Sequence, residues 1–496
     1  MTHSSQEFSA RIDQVGPKGL GLSVDVYSPD LGSLLADLTQ RQVLPAYLEV
    51  FRATPAALRA VRAATALPLT YHGEGLWVTQ PRAPEHSRFL EEARFIASDL
   101  AILGSAWSNH ECATKQIAGY SFGTYLPPLY TPASASVVAR NIRAVQTIFD
   151  ESNGQAGLFG PLFLLEMAPL TYFVAGTLPI ASYFRRIADE AACGLVLDVG
   201  HLWTVYRYTR ARQTHTLQDF VREFLDEFPL ERVVEIHVAG LTVHDSMRAS
   251  SRSASDEPPG ELPFWTDAHS APIPEVLFEL LDQILEQPRL RHLKGLALEV
   301  DTKPVELIGE EFTRFIGRYR SVGTASAGSS SVGAGLASGV REAGRPWSDD
   351  LGRQESDLAN AYDRYARVVS GRAEPTTDEW IGPTGCADDL SYYRAAYLPF
   401  EILHWGGDVE AMFPNTCREL IVRGVALGQF VTYWFRAPHP EVGSYDFFEI
   451  KIERFLEFVE EVASDLRPLA AREAGALRDA YHAANAGLLP AVSHPS

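Results

Sequence analysis

Along the first 320 or so residues, short runs of apolar and β-branched residues alternate with longer stretches whose apolar positions recur at helical spacing. The runs are GLGLSVDVY (19–27), AYLEVF (46–51), LPLTYHG (67–73), ASDLAILG (97–104), PLFLLEMA (161–168), CGLVLDVGH (193–201), VVEIHVAG (233–240) and LKGLALEVD (293–301). Between them, 54–66, 134–149, 216–228 and 273–285 read as amphipathic helices. Eight strand–helix units in this length predict a (β/α)8 TIM barrel of the α/β class.

The pattern changes at SVGTASAGSSSVGAGLASG (321–339), which has neither charge nor aromatic residues. Such a stretch buries too little surface to fold and predicts a flexible Gly/Ser/Ala linker over 321–345. Beyond it, 358–371, 417–435 and 447–466 have helical periodicity, so 346–496 reads as a smaller, mainly α-helical domain with an aromatic-rich face.

Composition narrows the function. Of 496 residues, 46% are hydrophobic and 10% aromatic, as in a packed globular protein. A net charge of −20 argues against nucleic-acid backbone binding and favours a metal cation or basic partner. Cys112, Cys193, Cys386 and Cys417 are widely spaced without a CxxC, which points to a reducing, cytoplasmic setting. No signal-like N-terminus and no apolar run of ~20 residues is present, so no membrane partner is expected.

The ionisable residues cluster where a barrel does its chemistry, at the carboxyl ends of the strands. Those ends place His72, Glu166, Asp198, His201, His237 and Glu299, with Glu49 on the second strand and Asp301 just past the last. His110, in SNHEC, is expected on a loop after the fourth strand. In FWTDAHSAPIP, Asp267 and His269 stand two apart, so in extended backbone they project to one side. Taken singly, each has an ordinary reading: a hydrogen-bonded histidine, or a carboxylate capping the next helix. Together they are too many charged groups to bury without compensation, and few Lys or Arg adjoin them. Two or three metal ions would compensate them, with carboxylates as bridges. Mixed imidazole and carboxylate ligation suits non-haem iron, manganese or zinc. Cys112, two residues from His110, reads as a small buried hydrophobe.

The motifs YHGEGL, SNHE, LLEM, LVLDVGHLWT, VEIHVAGL, TDAHSAPIPEVL and LALEVD, in this order, resemble the DUF692 family over roughly 19–315. These are multinuclear non-haem iron-dependent oxidases (MNIO), among them the enzyme subunit of methanobactin biosynthesis. The resemblance implies a TIM barrel with two or three irons in a mixed-valence Fe(II)/Fe(III) state and O2 as co-substrate. It implies a ribosomally made, cysteine-containing precursor peptide as substrate. His72, His110, Glu166, Asp198, His237, Asp267, His269 and Glu299 fall on the family's ligand motifs. Glu49 and Asp301 are expected to orient ligands. Two positions depart from the family pattern: Met167 stands where Asn usually follows the Glu, and His201 where Asn is usual, though a histidine there can still ligate iron. The family commonly uses a leader-binding partner protein, and 391–420 loosely resembles such helical partners, so the C-terminal domain is a candidate fused partner.

The expected reaction is oxidation of the peptide at cysteine, with substrate sulfur held on one iron and O2 reduced at another. Two other readings use the same residues. Sugar isomerases or epimerases and endonuclease IV-like enzymes also set His, Asp and Glu at barrel strand ends, around divalent metal. A catalytically inactive metal- or peptide-binding scaffold is the non-enzymatic alternative.

Overall fold

The computed structural model describes residues 3–153, 159–169, 172–209, 211–243, 265–267, 269–325, 349–375, 387–439 and 447–485. Twelve strands occur among them. Those of the barrel are β1 (Gly19–Val24), β2 (Tyr47–Phe51), β3 (Leu69–His72), β4 (Trp107–Glu111), β7 (Leu162–Glu166), β8 (Gly194–Asp198), β9 (Val233–Val238) and β12 (Gly295–Glu299). They close in the order β1-β12-β9-β8-β7-β4-β3-β2, and every neighbouring pair is parallel. The expected TIM barrel is therefore present.

Two antiparallel hairpins interrupt the connections between barrel strands. One pairs β5 (Thr114–Ile117) with β6 (Tyr120–Leu126) and turns through Ala118 and Gly119, both at positive φ. Such a two-residue turn matches the twist of a hairpin. The other pairs β10 (Leu241–Val243) with β11 (Trp265–Asp267).

The fourth strand is not where the apolar pattern put it. Residues 97–104 end the helix Ser87–Leu103, which Gly104 closes in the left-handed conformation. Ala93, Ile96, Ala97, Leu100 and Leu103 of that helix are buried, a helical spacing that a short window mimics as a strand. The strand itself is the polar WSNHE of β4, buried because it lines the barrel. His110 thus lies on a strand, not on a following loop.

The floor of the bore is apolar with one polar knot. Tyr47, Trp107, Leu162, Leu164, Val196 and Ala297 form a single buried cluster with the N-terminal helix residues Phe8 and Ile12. Within it, Glu235 accepts from the Tyr47 hydroxyl at 2.6 Å and from Trp107 Nε1 at 2.8 Å. A Cβ at Gly21 would meet the Tyr47 ring at 2.3 Å, so glycine there lets the tyrosine cross the bore.

The described chain divides into two compact units: Met1–Thr114, Tyr125–Ala361 and Pro375–Leu390 in one, Lys115–Thr124, Tyr362–Glu374 and Ser391–Ser496 in the other. The helix Val305–Ala325 runs into the first residues of the expected linker, and 326–345 lies outside the described residues. In the second unit, helices Pro414–Val422, Gly428–Trp434, Phe447–Val462 and Arg467–Asn485 surround an aromatic core. There Phe413 and Phe430 pack on Phe455 with ring centroids 4.4 and 5.3 Å apart. Trp434 Nε1 donates to the Ser121 carbonyl of the β5–β6 hairpin at 2.7 Å. Cys112, Cys193 and Cys417 are buried free thiols, while Cys386 lies outside the described residues. Among the described residues no helix is long and apolar enough to cross a membrane.

Glu235→Ala strands two buried donors at a cost of roughly 1–3 kcal/mol each. The full chain is expected to lose about 3 kcal/mol in urea or guanidinium unfolding of the barrel, and Glu235→Gln, which keeps one acceptor, about half of that.

Candidate metal centre

Strand alternation explains how the ionisable residues meet. Glu49 pairs in register with Ser23, and Ser23 with Glu299. His237 pairs with Ala297 and with Asp198, and Glu166 pairs with Glu111. Side chains on this parity face the bore, and these positions lie at or near the carboxyl ends of their strands.

Three groups form, each with donor atoms within 4.8 Å of one another: His72–Glu166–His237, Glu49–His237–Glu299 and Glu166–Asp198–His201. All of these side chains are buried. Glu166 and His237 are shared. Glu166 Oε2 lies 3.6 Å from His72 Nε2, and its Oε1 lies 3.4 Å from His201 Nδ1 and 3.7 Å from His237 Nδ1. His237 stands 3.1 Å from Glu49 Oε2 through Nε2 and 3.2 Å from Glu299 Oε1 through Nδ1.

These contacts are close but mostly not hydrogen bonds. Glu49 Oε1, Glu166 Oε1 and both ring nitrogens of His237 have no hydrogen-bond partner although buried. Buried polar atoms are ordinarily paired. Donors that face one another at 3–4 Å without pairing are spaced as ligands around a common ion with ~2.0–2.2 Å bonds. The arrangement therefore fits a metal. The electrostatics agree. Burial alone would raise the Glu166 carboxyl, yet His237, His72 and His201 hold it down to about 2. Burial alone would lower His72, yet Glu111, Glu166 and Glu49 push it up to about 10. Without metal, the surrounding carboxylates favour protons on His72 and His237.

The expected ligands divide by place. His72, Glu166, Asp198, His201, His237 and Glu299 lie in these groups, as does Glu49, which was expected only to orient a ligand. Asp198 also caps the helix Val199–Tyr208, its Oδ1 accepting from the His201 amide at 2.6 Å. His269 stands at the rim, 3.5 Å from Glu299 Oε2 through Nε2, and its Nδ1 meets Asp301. Asp267 ends β11, and its side chain lies outside the described residues. His110 is not drawn into the three groups. It pairs in register with Leu165, stacks on Phe163 at 5.5 Å, and its buried Nε2 has no hydrogen-bond partner. A Cβ at Gly73 would lie 2.2 Å from that nitrogen, so the glycine makes room for the ring. Burial, with the nearby charges of His72 and Arg52, holds His110 well below the usual imidazole range.

Reading SNHE as a loop hid two further groups. With Trp107 facing in, alternation along β4 turns Asn109 and Glu111 inward as well. Asn109 Nδ2 donates to Glu166 Oε2 at 2.6 Å, and Glu111 Oε1 lies 4.0 Å from His72 Nε2. Burial and the neighbouring Glu166 raise Glu111 to about 7, against the pull of His72. Ser23 Oγ, also unforeseen, donates to Glu49 Oε2 at 2.7 Å.

Residues 19–310 match the family model described as RiPP precursor modification enzyme MbnB/TglH/ChrH, RiPP denoting a ribosomally synthesised and post-translationally modified peptide. Curated relatives include a UPF0276 protein of Rhizobium meliloti (strain 1021), 24% identical over 221 residues, 44% of this chain and 60% of the relative. Another, from Paraburkholderia phytofirmans, is 29% identical over 188 residues, 37% of this chain and 52% of the relative. The chain thus spans about half the length of the curated relatives it matches. Similar solved structures include endonuclease IV from Thermus thermophilus, at 14% identity and a TM-score of 0.37, covering 61% of this chain and 99% of that one. A 3-keto-D-glucoside 4-epimerase from E. coli follows at 15% identity and a TM-score of 0.34, covering 61% and 99%. Likeness this low has no bearing on function. The family match, by contrast, spans well over half of the 496 residues and takes in every strand of the barrel, and the chain belongs to the RiPP precursor modification enzyme family MbnB/TglH/ChrH.

Proposed function

We propose that this chain is an O2-dependent multinuclear non-haem iron oxidase that modifies a ribosomally synthesised precursor peptide at a cysteine. The observation that supports this reading most is the sharing of Glu166 and His237 among three buried groups, which suits more than one ion in contact. Imidazole and carboxylate donors without thiolate fit iron, manganese and zinc alike, and family membership favours iron. Iron in these positions would supply the O2 reduction and one-electron chemistry that side chains lack.

The chain's own residues have distinct tasks. Glu166 offers one oxygen to the His72 side and the other to the His201 and His237 side, as a bridging carboxylate does. Ser23 holds Glu49 toward His237, and Asp301 holds His269 through Nδ1, so that its Nε2 faces Glu299. Asn109 keeps Glu166 from rotating away from the bore. The closed, apolar floor beneath limits water to the open mouth. The partner is the cysteine-containing peptide itself, with its leader bound either by a separate protein or by the helical C-terminal unit. A cytoplasmic setting agrees with the buried free thiols.

Protein expressed with iron supplementation is expected to hold two or three irons per chain, with a coupled mixed-valence signal in Mössbauer and EPR spectra. Zinc or manganese without tightly held iron, after anaerobic reconstitution, would overturn the iron reading in favour of a hydrolase or isomerase. Because His237 serves two groups, His237→Ala is expected to lose more than one iron per chain by elemental analysis. His269→Ala, at the rim, is expected to lose at most one.

O2 uptake in an oxygen electrode is expected to rise at least ~10-fold when a cysteine-containing precursor peptide is added, and not with its Cys→Ser form. Iron-loaded protein with no peptide-dependent uptake would point to the binding scaffold instead.

A further inference from the structure

Most of the cluster sits on barrel strands, but His269 and Asp301 stand on loops. Those loops are joined by one buried carboxylate away from the cluster, Glu311 of the helix Val305–Ala325. Its Oε1 accepts from the Ile273 amide at 2.7 Å, four residues past His269. Its Oε2 meets Lys303 Nζ at 2.6 Å, two residues past Asp301. Lys303 is 1% exposed and Glu311 8%. Between Asp301 and Lys303, Thr302 takes positive φ, a costly conformation for a β-branched residue that persists only where its surroundings impose it. Its amide donates to the Ser28 carbonyl at 3.1 Å.

Each oxygen of Glu311 is thus committed to a different loop. A buried lysine–glutamate pair is no efficient source of stability, since desolvation offsets most of its attraction. It does fix geometry, because breaking it leaves an uncompensated buried charge. The two loops it joins meet at the far end through His269 and Asp301. We propose that the Lys303–Glu311 pair is the positioning device for His269: it clamps both loops from behind, so that the imidazole stays beside Glu299 and the outermost metal position remains formed. The clamp itself is independent of what the centre holds. Its consequence for metal rests on the oxidase reading above.

The test uses the full chain with Glu311→Ala and Glu311→Gln, read by hydrogen–deuterium exchange of the metal-free protein and by iron content after reconstitution. Glu311→Ala is expected to speed exchange at least ~10-fold in peptides covering 269–274 and 301–304, with the barrel strands unchanged, and to hold one iron fewer. Glu311→Gln, whose amide oxygen still accepts from Ile273, is expected to protect 269–274 while leaving 301–304 loosened, and it serves if the alanine variant does not fold. Unchanged exchange in both loops, or acceleration spread evenly over the barrel, would overturn the proposal. So would full iron content in a variant whose loops have loosened. If the wild-type chain holds no iron, the oxidase reading fails, and the exchange data alone decide the clamp.

Discussion

Closing eight parallel strands into one ring brings their carboxyl ends together, and in this chain those ends are charged. Glu166 bears the constraint most heavily: it is buried, one oxygen faces His72, and the other faces His201 and His237. An ionised carboxylate in such a place is tolerable only with cations beside it. Without metal, the imidazoles serve by taking up protons, which is why His72 rises and Glu166 falls in pKa. Divalent ions at the same positions would meet the same demand and return the imidazoles to the neutral form that can ligate. Charge balance and metal binding are here one requirement.

The rest of the barrel can be understood as support for that cluster. Beneath it, Glu235 pins Tyr47 and Trp107, while its Oε2 lies 3.6 Å from His237 Nε2. Burial and the adjacent Glu49 raise this carboxyl to about 7, so it approaches neutrality and joins the apolar floor at low cost. The change from charged mouth to apolar core therefore occurs between adjacent layers of the bore. Strand-borne ligands inherit their spacing from the sheet register. Those on loops need fixing from outside, which is what makes a buried ion pair behind His269 intelligible.

Much of this was legible in the sequence because the relevant signals were local. Strand-end residues in LLEM, LVLDVGH, VEIHVAG and LALEVD follow apolar runs, and Glu166, Asp198, His201, His237 and Glu299 lie in the three buried groups. The fourth strand was not legible. Four of its five residues are polar and borrow their burial from the barrel, whereas the apolar ASDLAILG just before them belongs to a helix. That error left SNHE on a loop without a strand parity, and so hid the inward turn of Asn109 and Glu111. The β5–β6 hairpin depends on turn geometry, and the β10–β11 pairing on its partner strand, rather than on apolar periodicity. Glu49 was expected only to orient ligands, yet it stands 3.1 Å from His237 Nε2.

Met167 and His201, the two positions expected to depart from the family pattern, are neighbours. His201 Nδ1 lies 3.1 Å from the Met167 carbonyl, a group present whatever side chain position 167 holds. If Nδ1 carries the proton and donates there, Nε2 is left as the basic nitrogen, 3.8 Å from Asp198 Oδ1. The backbone carbonyl would then fix the tautomer and the ring plane of His201. A polar side chain at 167 is then dispensable for holding its neighbour, and the methionine there is buried to 1% exposure.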